Sequence, residues 1–318
     1  MRRILARASV SDSQGKLELL RRAVAGAIAV GTREFYYIPD THRIAESALG
    51  DFAGDVLAKP VEAPHTSSAL DTIRGAVGLR DAGCCAVITL GGDGTNRVFA
   101  KAWGDAPLVP LSTGTNNVFP SSIESSVAGS AAGLVACGVV SLKSAANRSK
   151  RIRVQREGHP DDLALIDAVV TSDTFTGARA LLYADRLQLA LLTRAEPAAV
   201  GMTAIGGLLQ PLDESEDLGL LVALGPEGDP LRFPIAPGLY HDVRYTEVRT
   251  VQLGESVEVE GPCSLALDGE REHVLQPGEV AQLTVDRQGP WVIDSARTMR
   301  EAATNGFFRT LPGSPSDA

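Results

Sequence analysis

The pattern of hydrophobic and polar positions divides the chain near residue 149. Before that point, Leu17, Leu20, Val24 and Ile28 recur at helical spacing, which predicts an amphipathic helix over 16–30. Further helices are predicted over 42–57, 67–82, 96–103 and 124–138, and strands over 34–38, 84–90 and 107–111. Alternation of strand and helix is typical of a doubly wound α/β domain.

After residue 149 the apolar runs are shorter and resemble strands. Strands are predicted over 151–155, 163–170 and 187–193, with helical segments near 177–185 and 198–209. From 217 to 293, β runs separated by Gly and Pro are typical of a sandwich. We therefore expect a Rossmann-like α/β domain over 1–145, a β-rich, sandwich-like domain over 146–293, and a C-terminal helix and tail over 294–318 that return to the first domain.

Charge and cysteine content narrow the functional classes. The formal net charge is −9 and the pI is near 5.1, which argues against general nucleic-acid binding because that requires a basic face. The four cysteines show no metal-ligand spacing, so we expect reduced thiols in a cytoplasmic protein. No apolar run has the ~20 residues that a membrane-spanning helix needs, so no membrane span is expected.

The first candidate site is Gly91-Gly92-Asp93-Gly94-Thr95, between the apolar run 84–90 and a predicted helix. Glycines let backbone N–H groups approach phosphate oxygens, and a helix N-terminus adds partial positive charge. A carboxylate at Asp93 does not favour anion binding by itself. It suits a Mg²⁺ ligand or the group that orients an attacking hydroxyl. A tight turn with an aspartate cap is the structural alternative.

A second polar loop, Ser112-Thr113-Gly114-Thr115-Asn116-Asn117, follows the next predicted strand. In open α/β sheets, ligands bind beyond the carboxyl ends of the strands, so both loops are expected at one edge. Thr, Gly and Asn are also ordinary loop residues, so this loop alone is a weak signal.

Together these loops resemble the superfamily that joins NAD kinases with diacylglycerol and sphingosine kinases. The first matches its Gly-Gly-Asp-Gly-Thr motif, and 110–117 is similar to the Pro-x-Gly-Thr-x-Asn loop of the lipid kinases. The runs 91–98, 111–117, 175–180 and 200–207 resemble in particular the ATP-NAD-kinase-like branch named for the acetoin-catabolism X protein. The resemblance covers nearly the whole chain.

The resemblance implies an active site between the two domains, ATP with Mg²⁺ as the phosphoryl donor, and Asp93 as catalytic carboxylate and Mg²⁺ ligand. The residues implied on the nucleotide and phosphate side are Gly91, Gly92, Gly94, Thr95, Asn96, Thr113, Gly114, Thr115, Asn116 and Asn117. The residues implied on the acceptor side are Asp167, Thr203, Asp268 and Glu270, although Asp268-Gly269 is also a typical hairpin turn. A small-molecule acceptor and a homo-oligomer are expected.

The acceptor stays open among three hypotheses. NAD⁺ is the first, but the Asn-Glu pair of NAD kinases is matched here by Ile166-Asp167. A kinase for a lipid or a small polyol is the second, and the chain shows no large apolar stripe that would dock on a membrane. A nucleotide-binding accessory or regulatory protein without turnover is the third.

The family opens with a strand and an Asn-Pro-x-(Ala/Ser)-Gly loop, and residues 1–10 resemble the segment after that loop. We therefore expect the first strand to be missing, which would leave two strand edges unpaired.

Other polar residues receive structural interpretations. We expect His273 to be isolated, Asp161-Asp162 to be a solvated turn, and the basic run containing Lys150 to be a solvated strand edge, with phosphate contact as its alternative.

Overall fold

A computed structural model describes residues 12–62, 66, 68–114, 116–172 and 184–309. The chain is a mixed α/β protein with parallel sheets in its first part and a large antiparallel region after it. The elements of the first part are α1 (Ser13–Ala29), β1 (Glu34–Tyr37), α2 (Ile44–Gly50), β2 (Leu57–Pro60), α3 (Ala69–Asp81), β3 (Val87–Gly91), α4 (Asp93–Ala102), β4 (Pro107–Ser112), α5 (Ser125–Ala136), α6 (Leu142–Ala145) and β5 (Ala146–Arg148).

The helix predicted over 42–57 is correct only in its first half. It ends at Gly50, turns follow, and β2 begins at Leu57. The short β2 pairs in parallel with β1, so its conformation depends on a partner strand rather than on its own four residues.

Helices α1 and α5 pack with their backbones in close approach. A Cβ on Gly26 would lie 2.0 Å from the Ser126 carbonyl oxygen, and one on Gly129 would lie 1.8 Å from that of Ala23. Only glycine allows this contact at either position. Helix α1 begins after Asp12, whose carboxylate accepts the Gly15 N–H at 2.7 Å, as an N-cap should.

The parallel strands form two separate sheets. Strand β3 pairs with β4, which pairs with β16 (Trp291–Ile293), while β1 pairs with β2. Among the described residues, β1 and β3 each have one strand neighbour, and a cavity of about 610 Å³ lined by 34–38 and 86–90 lies between them. The expectation of a missing strand rests on residues 1–10, which are outside the described ranges.

The antiparallel region contains two sheets with a shared hydrophobic cluster. Its elements are β6 (Arg151–Arg156), β7 (Asp162–Ala164), β8 (Asp167–Thr171), β9 (Leu187–Leu192), α7 (Met202–Leu209), β10 (Leu218–Ala236), β11 (Leu239–Gln252), β12 (Ser256–Glu260), β13 (Cys263–Leu267), β14 (Glu270–Leu275) and β15 (Val280–Asp286). The orders are β11-β10-β9-β8-β13-β14 and β12-β15-β6-β7. Leu191 and Leu265 of the first sheet pack with Ile152 and Leu283 of the second.

The last elements lie against the parallel region. Strand β16 pairs with β4 and β5, and helix α8 (Ser295–Thr304) buries Ala302 in one cluster with Ala128 and Leu134 of α5. The helix predicted near 177–185 and the family-like segment 175–180 lie outside the described residues up to position 183. No helix in the described ranges is long and apolar enough to cross a membrane.

Candidate active site

The Gly91–Thr95 turn connects the carboxyl end of β3 to the first turn of α4. Its glycines are required by two close contacts. A Cβ on Gly91 would lie 2.6 Å from the Thr95 side chain, and one on Gly92 would lie 2.6 Å from Oδ1 of Asn117. At Gly94 the nearest atoms to a Cβ would belong to Glu270, at 3.8 Å. The turn is therefore packed tightly on its protein side and open at Gly94.

Asn96 stabilises this turn from beneath. Its Oδ1 accepts the Thr89 hydroxyl at 2.7 Å, and its Nδ2 donates to the Gly92 carbonyl at 2.9 Å. The residue is completely buried and lines neither of the cavities described below. Asn96, predicted among the phosphate-binding residues, therefore reaches the site only through the turn that it holds.

Asp93 is the first residue of α4, and its carboxylate joins the two polar loops. Oδ1 accepts the backbone N–H groups of Val118 at 3.0 Å and Phe119 at 2.8 Å, and Oδ2 lies 3.2 Å from the Val118 nitrogen. The sequence offered no sign of this contact, because the donors are 25 and 26 residues away. The Asp93 carboxylate therefore joins the start of α4 to residues 118 and 119, just after the second loop.

The second loop returns to β4 and places two asparagines at the site. Ser112 accepts the Asn117 amide at 3.0 Å and donates to the Gly114 carbonyl at 2.9 Å. Oδ1 of Asn116 is buried and accepts no hydrogen bond from the described residues. Thr113 is buried, and neither it nor Gly114 lines the cavities. Thr115 lies outside the described residues.

Two adjoining cavities share Asp93, Asn116 and Asp268. The larger measures about 410 Å³, within the ~300–1,000 Å³ typical of small-molecule sites. It is lined by residues from both loops and from the start of α3, together with Glu270: Ser68, Ala69, Thr72, Gly92, Gly94, Thr95, Val98 and Asn117. It thus brings together the predicted nucleotide-side residues Gly92, Gly94, Thr95, Asn116 and Asn117.

The smaller cavity measures about 60 Å³ and lies beside the antiparallel sheet. Asp167 and Thr203 line it together with Asp93 and Asp268, so three of the four predicted acceptor-side residues meet here. Glu270 lines the larger cavity instead. Val200, Met202 and Ile235 supply an apolar wall.

Asp268 has a left-handed backbone conformation, with φ of 50°, and its carboxylate points back into the protein. It accepts the N–H groups of Leu165 at 2.9 Å, Ile166 at 2.8 Å and Asp167 at 3.1 Å. The pKa of Asp268 is raised to about 7. Burial is the largest cause and the charge of the nearby Asp93 acts in the same direction, while the Leu165 and Ile166 amides and the charge of Arg97 oppose the rise. Asp268 therefore holds the backbone that carries Asp167.

The cleft is acidic. Asp93, Asp167, Asp268 and Glu270 line the two cavities, and no lysine or arginine among the described residues does so. Within those residues, no three His, Cys, Asp or Glu side chains are placed to hold a metal ion together. Mg²⁺ in kinase sites needs only one or two carboxylates in addition to substrate phosphates. The lining therefore fits a cation that arrives with a nucleotide and not an ion caged by protein alone.

A buried ionic cluster next to the cleft was missed in the sequence. Asp162 is buried and contacts Arg97 at 3.0 Å and His273 at 2.9 Å, so the expectations of a solvated Asp162 and an isolated His273 are wrong. Burial alone would raise the pKa of Asp162. The hydrogen bond from His273 and the charges of Arg97 and Lys101 outweigh burial and hold that pKa well below its usual range.

Lys150 also departs from its predicted solvated position. It is completely buried, and its Nζ donates to the carbonyls of Asp213, Glu216 and Leu218 at 2.9–3.1 Å. Burial lowers the pKa of Lys150 to about 8. Its side chain lines neither cavity and serves to close the 213–218 loop.

Comparisons with known proteins give a family but no activity. Residues 150–288 match the family model of the acetoin catabolism protein X C-terminal domain. The acetoin catabolism protein X of Cupriavidus necator is 33% identical over 327 residues, which cover 98% of this chain and 91% of that protein. The crystal structure of yeast NADH kinase complexed with NADH aligns with a TM-score of 0.49 at 12% identity, covering 94% of this chain and 86% of that one. The chain therefore belongs to the acetoin catabolism protein X family.

Proposed function

We propose that this protein is an ATP-dependent phosphotransferase that acts on a hydroxyl group of a small molecule. The proposal rests on one observation. The turn Gly92–Thr95 at the start of α4, which includes Asp93, lines one cavity together with Asn116 and Asn117. The resemblance of these two loops to the kinase superfamily supports the same reading.

The larger cavity would bind the triphosphate of ATP. The first N–H groups of α4 have no acceptor within the helix, and the helix dipole favours an anion beside them. Gly94 leaves room for a phosphate, because a Cβ there would meet nothing closer than 3.8 Å. Mg²⁺, when bound with ATP, would neutralise phosphate charge, and Asp93 is the residue that would hold it.

The smaller cavity would receive the acceptor hydroxyl. Its carboxylates can accept hydrogen bonds from hydroxyl groups, and its 60 Å³ suits one end of a molecule. NAD⁺ is the first acceptor to test, with the hydroxyls of a ribose in this cavity. Ile166 and Asp167 stand where NAD kinases have an Asn-Glu pair. Ile166 is buried in an apolar cluster, so only Asp167 lines the cavity. A small polyol would suit the same carboxylates.

Asp93 lies where the two cavities meet. Its hydrogen bonds from the Val118 and Phe119 amides fix its position. We infer that it orients the attacking hydroxyl by accepting its hydrogen bond, since phosphoryl transfer depends mostly on positioning and charge stabilisation.

The same hydrogen bonds favour a second candidate function, a nucleotide-binding protein without turnover. Asp93 already has a structural task in joining the two loops, and this task alone would account for a carboxylate at this position. ATP binding without product distinguishes the two functions.

Incubation with ATP, Mg²⁺ and either NAD⁺ or a panel of small polyols tests the proposal. ADP release shows turnover, and an NADP-specific dehydrogenase detects NADP. Acceptor-dependent ADP release that Asp93→Asn abolishes and Asp161→Asn leaves intact would support a phosphotransferase. Asp161 is the matched control because it is an exposed aspartate. ATP binding with no product from any acceptor would support the second function.

A further inference from the structure

Five charged or titratable side chains meet between α4 and the antiparallel sheets, and we refer to them as the Arg97 cluster: Arg97, Lys101, Asp162, Glu272 and His273. Arg97 is at its centre and is 4% exposed. Its Nε donates to the Leu163 carbonyl at 2.6 Å, one terminal nitrogen to Asp162 at 3.0 Å, and the other to Glu272 at 3.0 Å.

Each segment that Arg97 connects carries a carboxylate of the cleft. Arg97 lies on α4, which begins at Asp93. Its partners Asp162 and Leu163 precede Asp167 by a few residues, and Glu272 lies on β14, next to the turn of Asp268 and Glu270. One guanidinium therefore joins the three pieces of backbone that bring the acidic residues together.

The segment from Asp162 to Asp167 is held at both ends. Arg97 binds its start, through the Asp162 side chain and the Leu163 carbonyl, and Asp268 binds the N–H groups at its end. Leu165 and Ile166, whose N–H groups Asp268 accepts, belong to neither β7 nor β8. The position of Asp167 relative to Asp93 therefore depends on side-chain contacts as well as on the strand ladder.

We propose that Arg97 is a positioning residue, which sets the separation of Asp93 from Asp167 across the cleft. This inference rests on the proposed function in one respect only, that the separation matters for phosphoryl transfer. The planar fork of arginine supplies three fixed donors here, whereas the lysine ammonium is a point charge on a flexible stem. A misplacement of about 1 Å in a reacting group is enough to lower turnover ~10²-fold.

Arg97→Lys is the variant that tests this role, because it keeps the charge and removes the fork. Lys101→Ala is its matched control. Lys101 lies on the same helix, and its ammonium contacts the same Asp162 at 3.1 Å. Its side chain is 45% exposed, so removing it deletes a cation without removing a buried one. With Arg97→Lys we expect kcat to fall ~10²-fold while the Kd for ATP changes less than about threefold, since the fork does not line the nucleotide cavity. With Lys101→Ala we expect both to stay within about threefold.

A purely structural role predicts a different result. Arg97→Lys would then lower the melting temperature but keep wild-type kcat well below that temperature, and this outcome would overturn the proposal. Equal losses in kcat and in ATP affinity would overturn it as well, because they would indicate damage to the nucleotide turn.

Hydrogen exchange separates this proposal from the proposed function. In Arg97→Lys, we expect the amides of 165–167 to exchange at least ~10-fold faster, while those of β13 keep their wild-type rates. If wild-type protein transfers no phosphate to any acceptor but this local change appears, the proposed function fails and the positioning contact stands. Unchanged exchange at 165–167 would refute the positioning role whether or not the protein is a kinase.

Discussion

Substitution of Asp268 by Asn tests how the cleft backbone is held. The carboxylate of this buried residue accepts three N–H groups, from Leu165, Ile166 and Asp167. Asparagine keeps one acceptor oxygen but places an NH₂ group opposite one of these donors. Because a buried, unsatisfied donor costs about 1–3 kcal/mol, we expect Asp268→Asn to lower the free energy of unfolding by about that amount. Asp268→Ala orphans all three N–H groups and should cost roughly 3 kcal/mol or more.

The cost of Asp268→Asn should depend on pH. An unfolded aspartate has a pKa near 3.9, whereas burial and Asp93 raise the pKa of Asp268 to about 7 in the folded protein. Between these values the folded state binds more protons than the unfolded state, so this group stabilises the protein most at low pH and the contribution decreases as pH rises to about 7. The difference between wild type and Asp268→Asn should therefore be larger at pH 5 than at pH 7.5.

Urea unfolding of wild type, Asp268→Asn and Asp161→Asn at both pH values measures this difference. The exposed control Asp161→Asn should stay within about 0.5 kcal/mol of wild type at each pH. A difference that is constant between pH 5 and 7.5, or that grows toward pH 7.5, would refute the reasoning. It would show that the three N–H groups, rather than burial, decide the pKa of Asp268.

Three further substitutions test other contacts. Lys150→Met should lower the free energy of unfolding by about 1–3 kcal/mol, because it removes the three hydrogen bonds that a buried ammonium donates to the carbonyls of the 213–218 loop. Urea titration measures this, and a cost under about 1 kcal/mol would contradict it. Gly129→Ala should lower the melting temperature by several degrees, because the added Cβ would lie 1.8 Å from the Ala23 carbonyl oxygen and overpacking costs ~1–3 kcal/mol. An unchanged melting temperature in scanning calorimetry would argue against the close contact between α1 and α5. Gly92→Ala should destabilise the fold, because the added Cβ would displace Asn117. Gly94→Ala should leave the fold as stable as wild type but weaken ATP binding at least ~10-fold, because the added Cβ would fill the space for phosphate. Calorimetric titration measures the ATP affinity, and equal affinity in wild type and Gly94→Ala would contradict the assignment.

The sequence is sufficient to find the two loops of the site and to place them at the carboxyl ends of the parallel strands. Buried strands ended by glycine-containing loops predict β3 and β4 with polar residues beyond their carboxyl ends, and the cavities bring Gly92–Thr95, Asn116 and Asn117 together there. The acceptor-side residues Asp167, Thr203 and Asp268 also meet, although motif resemblance rather than local pattern pointed to them.

The sequence cannot predict which polar side chains pair across long separations. Arg97 and Asp162 are 65 residues apart, and Lys150 contacts a carbonyl 68 residues away. Local polarity indicates solvent for such residues, since their burial depends on partners brought by the fold. An arginine on the inward face of α4, four residues after Asp93, was the one available signal for the Arg97 cluster.

The rate of ADP release from ATP and Mg²⁺, with and without acceptor, is the most direct test of the central claim that Asp93 serves phosphoryl transfer in this cleft. It should be measured for wild type, Asp93→Asn and Asp161→Asn at matched folded fractions. We expect an acceptor-dependent rate in wild type and in Asp161→Asn. In Asp93→Asn we expect a rate at least ~10²-fold lower at saturating ATP, with a smaller loss of ATP affinity because Asp93 would also hold the Mg²⁺. An acceptor-dependent rate that Asp93→Asn leaves unchanged would contradict the account.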